Sequence, residues 1–199
     1  MPLDRARLAG LTLLVGSAVA SLGYLAGLLF VGGSGDARYD DPLWTPLYGI
    51  ALAGDLLIVL GLPAVLIAQG RRAARLTLIG YVGLYAALVM LNICEGCLEA
   101  FVKPYVLHHG GIPTSVPGWG VFEGVALVLM LIGLIGLGVA VIRAKVFAWW
   151  VGVLLIASPF GSFVLPSQFA LLSDFLAYAA LFVIGLRVAR THDPAPVAA

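Results

Sequence analysis

The sequence predicts an all-α integral membrane protein, a bundle of six transmembrane helices with both termini in the cytoplasm. Three observations predict it. Of the 199 residues, 62% are hydrophobic and only 11% are charged, against about 25% charged in a soluble domain. The apolar residues fall into six uninterrupted runs, each near the ~20 residues that a spanning helix needs. Lysine and arginine gather in alternate breaks between the runs, as they do in cytoplasmic loops. Long runs without strict alternation favour helices over a barrel.

The first run is Leu8–Val31. Its basic start, Arg5 and Arg7, and the Ala18-Val19-Ala20 triplet resemble a signal peptide. The run outlasts a signal core, however, so it reads as a retained span. Gly32, Gly33, Gly35 and Pro42 mark the first loop, which carries Asp36, Asp40 and Asp41. The second run is Trp44–Ala68 and the third Leu76–Val102, with Arg71, Arg72 and Arg75 between them. The segment Lys103–Gly118, with Pro104, Gly110, Gly111, Pro113 and Pro117, is the longest predicted loop. The fourth run, Trp119–Ile142, stops at Arg143 and Lys145. The fifth, Phe147–Pro166, and the sixth, Gln168–Ala189, are separated by Ser167 alone, which predicts a tight hairpin. Residues 190–199 read as a flexible cytoplasmic tail, and the chain as one transmembrane domain.

Orientation follows from charge. With the N-terminus inside, the inner segments hold Arg5, Arg7, Arg71, Arg72, Arg75, Arg143, Lys145, Arg187 and Arg190, nine residues in all. The outer segments hold two, Arg38 and Lys103. Localisation is therefore expected in the cell membrane, with the bilayer as first partner. A net charge of +1 leaves no basic field for nucleic acid.

Gly61–Ile67 and Gly136–Ile142 share a glycine-led apolar pattern before a basic turn. An internal repeat and a shared simple composition both account for it. Pro63 to Leu84 and Val141 to Pro159 (VIRAKVFAWWVGVLLIASP) resemble small multi-pass bacterial membrane proteins of actinobacterial type. The resemblance covers about two thirds of the chain. It implies a membrane fold and no activity.

Five carboxylates lie in or beside the runs: Asp55, Glu95, Glu99, Glu123 and Asp174. Ionisable groups inside a span are costly and point to function. The topology puts all five in the outer half. At 100° per residue, Tyr85, Asn92, Glu95, Glu99 and Lys103 form one stripe on the third helix. Thr45, Tyr48 and Asp55 share a face of the second, Ser167, Asp174 and Tyr178 of the sixth, and Gly10, Ser17 and Tyr24 of the first. Together they predict an outward-opening acidic pocket, floored near Asp55 and roofed by the loop with His108 and His109.

Several chemistries fit such a pocket. Binding or transport of a cation or small organic solute would use Asp55, Glu95, Glu99, Asp174, Asn92, Tyr24, Tyr48 and Tyr178. So small a transporter is expected to form a homodimer. A membrane-embedded acid/base enzyme acting on a lipid or isoprenoid would use Asp55 or Glu95 as general acid. Glu99, His108 and His109 are weak metal candidates. Cys94 and Cys97 form a CxxC of the kind found in thiol oxidoreductases, but the relay cysteines such enzymes need are missing. A non-catalytic accessory subunit would pair Asp55 and Glu95 internally. No cofactor is called for.

Overall fold

The computed structural model describes residues 5–33, 35–70, 74–109, 118–164 and 170–191. Among the described residues the chain is helical between short turns and has no strand. Helix α1 spans Arg5–Phe30. A 3-10 turn, Gly35–Asp40, leads into α2, Trp44–Gly61. At Leu62 the backbone stays helical, and the helix runs on past Pro63, which lacks an N–H, as α3, Pro63–Gln69. Helix α4, Ala74–Ala87, passes into π-helical turns at Leu88–Glu95 and Leu98–Val102 and then into α5, Lys103–His109. Helices α6, Trp119–Ala144, α7, Trp149–Val164, and α8, Ala170–Thr191, complete the chain.

Four stretches are long and apolar enough to cross a membrane: Arg5–Phe30, Trp44–Gln69, Arg75–Leu107 and Trp119–Ala144. They mark a membrane-embedded helical protein. The apolar part of α7, Trp149–Gly161, is shorter, and α8 carries Asp174, Arg187 and Arg190. Leu22, Leu29, Phe30, Leu60 and Val121 all lie exposed, an outer surface suited to lipid rather than to water. The structure differs from the sequence reading at the third run. Its helix does not stop at Val102 but continues through Pro104 to His109. The predicted Ser167 hairpin, the loop over 110–117, Arg71, Arg72 and the tail beyond 191 lie outside the described residues.

The helices form a closed ring. Helix α1 packs between α2 and α8, α8 against α7, α7 against α6, and α6 against α4. The π-wound continuation of α4 closes the ring onto α2. Both stretches of the suspected repeat are helical, the first carrying Pro63 and the second lying inside α6.

Helices in lipid gain little from hiding apolar side chains from one another, so they associate by close backbone packing at small residues. The α1–α2 seam shows this. A Cβ added to Gly16 would lie 2.6 Å from the Ile58 nitrogen, and one on Gly23 2.7 Å from the Ala51 nitrogen. Gly54 meets the Ala20 backbone and Gly61 the Leu13 backbone in the same way. Gly83 and Gly133 bring α4 against α6, and Gly138 and Gly152 bring α6 against α7.

Gly54→Leu is therefore expected to cost about 3 kcal/mol or more, at the upper end of overpacking penalties. Gly124→Leu, at a site where an added Cβ meets nothing within 4 Å, is the matched control and should stay within about 0.5 kcal/mol of the parent. Unfolding in mixed micelles followed by circular dichroism reads both. Equal effects would show that the seam is not close-packed.

Candidate functional site

The α1–α2 seam positions the one carboxylate among the described residues that is buried completely. Gly54 precedes Asp55 and Gly23 precedes Tyr24, so the approach of the two backbones brings these polar neighbours together. Asp55 has 0% of its surface accessible. The Tyr24 hydroxyl donates to Asp55 Oδ2 at 2.8 Å, and the Tyr178 hydroxyl, from α8, donates to Oδ1 at 3.0 Å. Asn92, in the first π segment, donates its amide N–H to the Tyr178 oxygen at 3.1 Å. The Tyr24 and Tyr178 rings stack with centroids 6.1 Å apart, and Tyr48 meets Tyr24 edge-on. Four parts of the chain thus meet at one carboxylate, and no cation pairs with it among the described residues. Hydrogen bonds to a charged group contribute about 1.5–3 kcal/mol each, which offsets a desolvation cost of several kcal/mol.

The other predicted acids do not join it. Asp174 lies one turn before Tyr178 on α8 and is exposed. It is within electrostatic range of Asp55, Tyr24 and Tyr178. Glu95 is half-buried and lies within electrostatic range of Glu123 of α6 and of Glu99. Glu99 belongs to a separate cluster at the far end of the same helix. The Tyr39 hydroxyl donates to Glu99 Oε2 at 2.5 Å, Arg38 Nη2 stands 3.6 Å from the same oxygen, and Lys103 pairs with Oε1. The Arg38 guanidinium lies 4.7 Å from the Trp44 ring centre, and Trp44 stacks on Tyr48 at 3.8 Å.

The predicted single stripe on the third helix therefore divides. Asn92 bonds Tyr178 and Glu99 bonds Tyr39 of the 3-10 turn, while Glu95 joins neither and Tyr85 is exposed beside Tyr81. The physical reason is the π winding. Bonding from i to i+5 widens each turn, so a stripe drawn at 100° per residue drifts off its face. Asp55 has no accessible surface, so it floors no open pocket among the described residues, and the loop over 110–117, predicted to roof one, lies outside them. A cleft of about 380 Å³ lies nearer the first loop, lined by Tyr39, Asp41, Thr45, Phe101, Tyr105 and His109 among others, and Asp55 does not line it.

The cleft borders a rigid turn. Asp41 accepts the Gly32 and Leu43 backbone N–H groups, each at 2.8 Å. These two bonds, Gly32 first, hold its carboxyl below the ordinary carboxylate range. His109 stacks on Tyr105 with centroids 4.3 Å apart, and its Nδ1 lies 2.8 Å from the Tyr105 carbonyl oxygen. The side chain of His108 lies outside the described residues. Glu99 is already engaged by two cations and a hydroxyl, and no group of three or more metal-ligating residues occurs among the described residues. Cys94 and Cys97 are free and exposed.

Sequence reasoning missed Arg38, Tyr39 and Trp44 as a clamp. The signal that could have found it is Pro104. Proline lacks the N–H that would bond Ala100 in an α turn or Glu99 in a π turn. Those two carbonyls are served from α2 instead: Trp44 Nε1 donates to the Glu99 oxygen at 2.9 Å, and the Thr45 hydroxyl to the Ala100 oxygen at 3.1 Å. This explains how the helix runs through a proline that reads as a loop signal.

Comparison with protein-family models, curated proteins and solved structures found no match.

Thr45→Val keeps the shape and strands the Ala100 carbonyl, a change expected to cost about 1–3 kcal/mol. Adding Pro104→Ala restores an N–H donor and should recover most of that loss. Micellar unfolding of the single and double variants measures it. A double variant no more stable than Thr45→Val would refute the assignment.

Proposed function

We propose that the chain is a six-span protein of the cell membrane, with both termini in the cytoplasm, that binds and moves a small cation or organic solute in exchange for protons. The observation that carries this reading is Asp55. A carboxylate held at the centre of a lipid-facing bundle by hydroxyl donors from two other helices, one of them backed by Asn92, with no basic partner among the described residues, is a group that can gain and lose a proton without breaking an ion pair. Intramembrane carboxylates of this kind mark proton and ion pathways. In this reading the structure is an occluded state. The cleft beside Tyr39, Asp41 and Tyr105 is the approach from outside, with aromatic walls that suit a cation.

The accessory-subunit reading has its own support: both Asp55 oxygens are satisfied internally. The enzyme reading has less, since a general acid must come within hydrogen-bond reach of its substrate and Asp55 is covered by the protein's own tyrosines.

Purified protein in liposomes with an entrapped pH-sensitive dye separates the first two. Imposed gradients of sodium, potassium, tetramethylammonium and a larger aromatic cation are applied in turn. Transport predicts that at least one drives proton movement, that Asp55→Asn abolishes it and that Asp55→Glu retains part of it. Silence with every cation, or an Asp55→Asn protein as active as the parent, would exclude transport. The accessory reading predicts that silence, with Asp55→Asn altering stability alone.

The nine-to-two charge asymmetry predicts that a fluorescent protein fused to the C-terminus is bright and that alkaline phosphatase fused there is inactive. The reverse pattern would invert the topology.

A further inference from the structure

The two tyrosines on Asp55 are not equivalent. The Tyr178 oxygen accepts from Asn92 while its proton goes to Asp55, so its bonding is complete and its ring is buried. The Tyr24 hydroxyl donates to Asp55 and accepts from no described donor. Its ring is only half-buried, and its oxygen keeps lone pairs for a second proton. Asp174 is the other titratable group near it. It stands one turn from Tyr178 on α8, exposed, with no hydrogen bond or ion pair to its carboxylate among the described residues.

We propose that the exposed Asp174 and the Tyr24 hydroxyl form the proton path from the protein surface to Asp55. The inference rests on reading Asp55 as the proton-exchanging group.

The step conserves protons. Asp174, protonated from water, passes its proton to the Tyr24 oxygen through an intervening water. The Tyr24 proton moves to Asp55 Oδ2 as the new O–H bond forms. Asp174 is left as a carboxylate, Asp55 as a carboxylic acid, and Tyr24 neutral with its hydroxyl turned toward Asp174. Rotation of that hydroxyl resets the path. The groups facing Asp55 are Tyr24 from α1, Asn92 from the π segment, and Tyr178 and Asp174 from α8, with Tyr48 of α2 behind Tyr24. No cation is among them. Arg38 and Lys103 are committed to Glu99.

Time-resolved infrared spectroscopy after a pH jump, on the full chain in nanodiscs, tests the path. The Asp55 carboxyl stretch is identified as the band lost in Asp55→Asn. Tyr24→Phe and Asp174→Asn are expected to slow its protonation at least about a hundredfold, the lower end for a positioned proton-transfer group. Asp174→Glu should keep the parent rate. Tyr178→Phe should move the titration midpoint and leave the rate near that of the parent. A purely structural role predicts equal effects for the two tyrosines, since each gives Asp55 one hydrogen bond. Equal effects, an unchanged rate in Asp174→Asn, or no band that depends on Asp55 would each overturn the path. The measurement uses no solute gradient. A working path in a protein that moves no cation would therefore sink transport and leave the relay standing, and transport without the path would do the opposite.

Discussion

Inside a bilayer no water is on hand to satisfy a polar group, so each one must find its partner within the protein. Asp55 is where this constraint is sharpest. Its oxygens take hydroxyls from α1 and α8, and Asn92 completes the set from the π segment. These donors come from positions 24, 92 and 178, far apart in the chain and able to meet only if the helices close into a ring. A carboxylate left without them would be a buried, unpaired charge, which costs several kcal/mol. The carboxylate and the ring therefore require each other.

Glycine makes that meeting possible. Helices in lipid associate through backbone contact, and at Gly16, Gly23, Gly54 and Gly61 the α1–α2 seam leaves no room for a side chain. The same closeness that packs the pair sets Tyr24 against Asp55. Packing and polar chemistry are here one geometric fact, which is why residues with no polar atoms in their side chains help decide where the carboxylate's donors lie.

The third helix solves a different problem. Pro104 removes an N–H from a helix that continues past it, and α2 supplies the missing donors through Trp44 and Thr45. The adjoining backbone winds in π turns, and its polar residues reach different neighbours rather than one. Asn92 serves the Asp55 centre, while Glu99 is bound by Arg38, Lys103 and Tyr39 at the loop end. The Glu99 cluster ties the first loop to the third helix, and the aromatic series Tyr39, Trp44, Tyr48, Tyr24 connects it with the buried centre.

The sequence by itself determined a helical membrane protein, because apolar run length and charge content are properties of composition that no packing can reverse. It also determined which residues were costly enough to matter, Asp55 first among them, and that Tyr24, Tyr48, Asn92 and Tyr178 lay on faces able to reach it. It did not determine how those faces turn. A stripe drawn at a constant angle joined Glu95 and Glu99 to Asn92, whereas the π winding widens the turns between them, and a residue pattern read at 100° does not reveal that winding. Pro104 read as a loop because the donors that let the helix pass it sit about sixty residues away, on α2. The acids scattered along the sequence therefore became a buried Asp55, an exposed Asp174 and a neutralised Glu99 only in the tertiary structure. Burial and partnership are relations between segments, and a single segment does not carry them.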